Sequence, residues 1–327
     1  MQFLAATALL ASHAAHAEIS TWTGATNTWN SVGNWSGINT PPLSGDSLVF
    51  NAAGAGGLSL NNDLTNPAFI VTAITYNGTA GSYVIGDGTA TANAGNAFTL
   101  GGNISVSTSA AQIINNPITL SGSPVIFLSA GETLTLAGDI DGNSGLNKRQ
   151  GGMLVLSGTN TYTGVTKLGN FGNLINVLRA DDGVGLPAAS TLQIDVGVFE
   201  TGIDLVRPGG GAAGQMRFAN QKNDSGFSAH GGPVNVAFGS LATPESLTWQ
   251  SGNFNWGNYA LILNYTNADN TLDFKNPVNL NEKTRTIRVA AGHPAAIATM
   301  SGVLSGATNL SALTKEGVGT LVLTAGC

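Results

Sequence analysis

The sequence predicts an all-β protein built from stacked repeats, with a multi-sheet β-sandwich as the alternative, and three observations lead there. A strand-and-turn unit, LNKRQGGMLVLSGTNTYTGVTKL at residues 146–168, returns in weaker form as LTKEGVGTLVLTAG at residues 313–326. Each copy places a Lys two residues after a Leu, then a Gly cluster, then a short alternating apolar run, Met153 to Leu156 or Thr320 to Leu323. A unit of one turn and one short strand leaves an apolar side that only a neighbouring unit can cover. Second, runs of four to eight residues rich in Val, Ile and Thr recur between Gly, Asn and Pro signals along most of the chain. Third, Gly is so frequent, 45 of 327 residues, that no amphipathic run of helical period exceeds about two turns.

The chain opens with MQFLAATALLASHAAHA, a short apolar run ending in Ala15-His16-Ala17, which has the small-x-small form of a secretory cleavage site. Residues 1–17 are therefore expected to be a signal peptide, cleaved to leave Glu18 first; no Lys or Arg precedes the apolar run, unlike most such leaders. Residues 18–57 form a cap segment in which Trp22, Trp29 and Trp35 crowd a polar stretch. Three large aromatic rings so close together suggest a cluster closing one end of a stack, where bare strand edges would otherwise invite aggregation. A sugar-binding aromatic platform is the other reading.

Residues 58–327 carry the repeats. FIVTAITY, SYVIG, AFTL, NISV, PITL, PVIFL and TLTL follow one another up to Leu136. A longer correspondence then links the two halves. Asn116-Pro117 matches Asn276-Pro277 at a spacing of 160, and Ala130 matches Ala291 at 161. Gly138 matches Gly302 at 164 and Leu146 matches Leu313 at 167. Drift of this kind is expected if insertions fall in turns while the core rows stay aligned. The Gly-rich, charged stretch 207–239, with Gly209-Gly210-Gly211 and HGGP at 230–233, reads as an insertion. Beyond it, residues 247–274 alternate again and hold Trp249, Trp256 and Tyr259.

Composition narrows the function classes. Charged residues make up 9% of the chain against about 25% in an ordinary domain, so the surface must be Asn, Thr, Ser and Gly. A net charge of −6 with 12 Lys and Arg offers no clustered basic face for nucleic acid or an anionic membrane. Hydrophobic residues at 42% supply a core, which argues against wholesale disorder. No apolar run reaches the roughly 20 residues of a transmembrane helix. Cys327 is the single cysteine, so no intrachain disulfide forms and packing must hold the exported chain.

The block GGMLVLSGTNTYTG preceded by GDIDGNSGLNK, and the block LTKEGVGTLVL, resemble the autotransporter-associated β-strand repeat of bacterial passenger proteins. The opening pattern TWTG...W...NW...GDSLVF is similar to the segment that begins many large exported proteins of that kind. The likeness touches about a third of the chain, and at Lys148 the following Arg149-Gln150 departs from the pattern. The resemblance implies a right-handed parallel β-helix in a surface-displayed bacterial protein, serving as stalk or passenger, and it implies no catalytic residues. Coils of roughly 20 to 25 residues at a spacing of about 4.8 Å would give on the order of 12 to 15 coils. Because the sequence stops inside a repeat at Cys327, further repeats or an anchor are expected beyond it.

Candidate chemistry is sparse. His230 and His293 each adjoin Gly or Pro and lack the spacing of a zinc site, and no G-x-S-x-G elbow occurs. No cofactor is expected; Asp139, Asp141 and Asn143 set oxygen ligands at alternate positions and are the calcium candidate, although the same residues are ordinary turn formers. A polysaccharide lyase or hydrolase would have to use Asp181 and Asp182 with Arg179, or Asp195 with Glu200. A carbohydrate-binding role would use Trp249, Trp256 and Tyr259 as stacking surfaces. The expected function is an exported structural or adhesive β-helix without catalysis, whose partner is a cell-surface glycan or protein, and not nucleic acid.

Overall fold

The computed structural model describes residues 17–65, 69–169, 172, 174–255, 257–306 and 310–325. The expected signal peptide, Ala17 apart, lies outside the described residues. The fold is a parallel β-solenoid of about 11 turns, with one 3-10 turn at Val32–Asn34 and no α-helix among the described residues. Twelve strands build one sheet and eleven a second; later in the chain five-stranded and three-stranded sheets appear as further walls. The named strands pair in parallel except where Trp35–Ser36 lies antiparallel to Ile19–Trp22, which separates the solenoid from the sandwich alternative.

The alternation seen in the sequence becomes a set of inward rows. Leu48, Ile74, Ile104, Ile126, Lys148, Leu168, Ile194 and Phe218 stand in register up the first sheet. In the second, Leu154, Leu178, Phe199, Phe227 and Leu263 do the same. These rows merge into one core running from Trp22 to Leu304. At about 25 cal/mol per Å² of apolar surface, each fully buried Leu or Phe contributes roughly 2 kcal/mol, enough to offset much of the entropy of ordering short strands.

The turns are fewer than the sequence suggested because many are longer. Lys148 pairs with Leu168, so that turn takes 20 residues (148 to 168), while Phe227 pairs with Leu263 and takes 36 (227 to 263). The stretch 207–239 is also not an insertion. It contributes the strands Met216–Phe218, Ser225–Ala229 and Val234–Phe238, each continuing a sheet. Its glycines sit where backbones meet: a Cβ on Gly226 would stand 1.9 Å from the Ile262 carbonyl oxygen. A wall of three to five residues needs little apolar sequence, so Gly-rich strands resemble loops.

At the N-terminal end Trp22, Trp29 and Trp35 are all buried, at 2%, 0% and 4% exposure. Trp22 and Trp35 meet edge to face with centroids 4.9 Å apart, Trp29 meets Trp35 at 5.7 Å, and the cluster continues through Phe50 to Tyr76 and Tyr83. The Trp35 Nε1 donates to the Trp29 carbonyl at 2.8 Å. The rings close the stack and offer no face to a ligand, and the two-residue antiparallel strand ends the long sheet with a minimal edge.

Candidate functional site

The two repeat copies do not share a wall. Lys148 belongs to the strand Leu146–Arg149 of the first sheet, whereas Lys315 belongs to Ala312–Glu316 of the second, above Ile287. What repeats is a corner, a strand whose last residue but one is a Lys, followed by a left-handed turn and the next strand. In copy one the Lys148 Nζ donates to the carbonyls of Arg149 at 2.8 Å and Gln150 at 2.9 Å, and Gln150 has φ of 67°. In copy two the Lys315 Nζ donates to the Gly317 carbonyl, and Gly317 has φ of 81°. Lys148 is buried, also reaching Asn176 Oδ1 at 3.3 Å on the next turn. Burial pulls its pKa down to about 7, while the Glu132 carboxylate acts in the opposite direction. In both copies the cation braces its corner, from inside the wall at Lys148 and from the exposed face at Lys315.

The aromatic candidates separate. Trp249 is fully buried, edge to face with Phe254 at 5.5 Å and under the Arg285 guanidinium at 5.6 Å, so its ring belongs to the core and not to a sugar platform. Trp256 lies outside the described residues. Tyr259 is half-buried beside Gly257, and its carbonyl accepts from Asn255 Nδ2 at 3.4 Å. In the calcium candidate, Asp139 Oδ1 accepts the Thr159 amide at 2.7 Å, a turn bond to the next coil. Asp141 and Asn143 are exposed. Among the described residues no three His, Cys, Asp or Glu side chains gather as a metal site would require.

The acidic candidates are dispersed as well. Asp195 and Glu200 do not meet: Asp195 follows a strand of the first sheet and pairs with Lys167 at 2.7 Å, while Glu200 lies in the second sheet and pairs with Arg179 at 2.6 Å. Asp182 accepts from the Arg207 Nε at 2.9 Å, and Asp181 Oδ1 accepts the Gly202 amide at 2.7 Å. Glu200 keeps one carboxylate oxygen, Oε2, without a partner among the described residues. Arg179, Asp181 and His230 line a small cavity of about 210 Å³, and His230 Nδ1 stands 3.0 Å from Asp269 Oδ2. Glycoside hydrolysis uses two carboxyl groups facing a common space. Here each acid engages its own cation or backbone amide, which ties neighbouring turns together.

A cleft of about 550 Å³ that sequence reasoning passed over is lined by Arg217, Asn220, Gln221, Lys222, Gly252 and Asn253 among others. Its residues 217–222 fall in the stretch read as an insertion, and the run RFANQK, two cations around two amides in a chain so poor in charge, was the available signal. Buried amides elsewhere all serve the fold. Asn276 Oδ1 accepts the Phe238 amide and its Nδ2 donates to the Glu245 carbonyl, both at 2.9 Å, and Asn160 bridges Ile140 and Gly185 in the same way. Comparison with protein-family models, curated proteins and solved structures finds no match to this chain.

Proposed function

We propose that this protein is an exported, surface-displayed structural and adhesive segment, a β-helix stalk or passenger of the autotransporter-associated repeat kind, without a catalytic role. The observation that supports this most is the single continuous core, capped by aromatic rings at one end and braced at its corners by buried cations and amides. A solenoid of this kind extends by adding turns, and each turn contacts only its neighbours, so length is gained without redesigning the whole. The ion pairs of the acidic residues fit the same role, as links between successive turns. The leader-like residues 1–17 and the resemblance of residues 146–164 and 313–323 support display outside the cytoplasm, secreted or on the outer surface.

The test is expression of the full chain in a bacterial host, followed by fractionation and N-terminal sequencing. The expected product begins at Glu18 and is found outside the cytoplasm. A cytoplasmic protein that retains residues 1–17 would overturn the export reading.

A further inference from the structure

We propose that the cleft at Arg217, Gln221 and Lys222 binds the carboxylate and neighbouring hydroxyls of an acidic sugar chain. The proposal goes beyond the stalk reading and does not depend on it.

The cleft presents positive charge that no ion pair among the described residues neutralises. Arg217 stands on the outer side of the first sheet, in register with Gln193 of the turn before. Its Nη2 donates to Gln193 Oε1 at 2.8 Å, and Gln193 Nε2 donates to Asp195 Oδ1 at 2.9 Å. Asp195 in turn is held by Lys167 at 2.7 Å. The carboxylate of this relay is thus already matched to a lysine, and the guanidinium is oriented without being neutralised. On its other side the loop at Gly211 comes so close that a Cβ there would stand 2.6 Å from Nη1. Its Nε finds no partner among the described residues. Lys222 is exposed at the same cleft, and among the described residues neither cation joins an ion pair. Asp224, the acid just beyond, is taken by Arg288.

The second observation is independent of charge. Gln221 lines the cleft and is only 5% exposed, yet both its Oε1 and its Nε2 lack a hydrogen-bond partner among the described residues. A buried amide left without partners is costly, and the buried Asn amides of the core rows are each bonded on at least one side. A donor and an acceptor side by side suit vicinal hydroxyls, which donate and accept together, and Asn220 and Asn253 add further amides. Two unneutralised cations with three amides and no carboxylate in the lining match a uronate better than a neutral sugar or a bare cation. The volume falls within the range of about 300 to 1,000 Å³ usual for small-ligand sites.

The test is titration calorimetry on the full chain with a trimer of galacturonate, its fully methyl-esterified neutral form, and inorganic phosphate as probes. The acid trimer is expected to bind, the ester to bind about tenfold more weakly, and phosphate alone more weakly still. Lys222→Ala, at an exposed position where folding is not at stake, and Arg217→Gln are each expected to weaken the trimer about tenfold. Lys275→Ala, whose partner is Asp273, serves as the control and leaves binding unchanged. Absence of trimer binding, equal binding of the ester, or an unaltered affinity in Lys222→Ala would each overturn the proposal. Phosphate bound as tightly as the trimer would overturn the sugar assignment, leaving a simple anion site.

Discussion

Lys148 occupies a position that its row would fill with an aliphatic side chain, between Ile126 and Leu168, and the reason lies in the turn that follows it. At the left-handed Gln150 the carbonyls of Arg149 and Gln150 come within reach of the buried Lys148 ammonium. The ammonium has as many protons as there are acceptors, Arg149 O, Gln150 O and Asn176 Oδ1, and satisfies all of them. Met has nearly the same volume and no donor. Lys148→Met is therefore expected to lower stability by roughly 2 kcal/mol in denaturant unfolding at pH 7, the cost of stranding buried acceptors. The pH dependence has a definite sign. The unfolded lysine keeps its proton up to about 10.5, while the folded one begins to release it near 7. Between those values the unfolded state binds more protons, so wild-type stability rises with pH relative to the Met variant. A difference between the two proteins that stays flat from pH 7 to 10 would show that burial does not perturb this lysine.

The repeating element is a corner, and its glycines and Asn-Pro pairs are one contact made twice. A Cβ on Gly138 would stand 2.0 Å from the Asn116 carbonyl oxygen, and a Cβ on Gly302 would stand 2.0 Å from that of Asn276. Those are the residues that the sequence matched across the two halves, and the match records a place where one turn's backbone lies against the turn before. Gly138→Ala should consequently cost about 1 to 3 kcal/mol, since backbone must shift to admit the methyl group. Gly33→Ala, with nothing nearer than 4.0 Å, should be neutral within about 0.5 kcal/mol. Equal melting temperatures for the two variants would remove the close contact as the reason for the repeat. The alternation of the strands and the Trp-rich cap were legible because each is a local pattern with a local cause, whereas parallel stacking was expected only from the resemblance to a known repeat. The wall on which each corner falls was not, because the lengths of the intervening turns decide it, as Lys148 and Lys315 show. Nor did the pattern LTWQSGNFNW reveal that Trp249 points inward, since a slip of one residue exchanges the two faces of a strand. Every position in Gly197–Thr201 and Ser225–Ala229 is buried, on the outward side as well as the inward one, which the alternation of those strands does not encode.

Across the whole molecule, stability should be distributed as in a one-dimensional stack, with each turn supported by its two neighbours. The burial pattern is uneven along that axis. The inward positions of the first turns are closed over by the three tryptophans, whereas Ala312–Glu316 and Leu321–Leu323, the last described strands, are largely exposed. Amide exchange is expected to follow this gradient, slowest through the middle rows around Leu154 and Phe199 and fastest at Leu321–Leu323. The cap supplies a sharper test. Trp29 is fully buried against Trp35 and Phe50, so Trp29→Ala removes about 3 to 5 kcal/mol of packing at one end. In a nearest-neighbour stack that loss opens the first turns and fades with distance. Protection should fall at Leu48 and Ile74, and remain at Phe227 and Leu263, many turns away. A loss of protection spread evenly over all turns would instead mean that the chain unfolds as one cooperative unit. In that case the single core, and not the contact between adjacent turns, would set its stability, and a stalk could not be lengthened or shortened turn by turn without changing the strength of the whole.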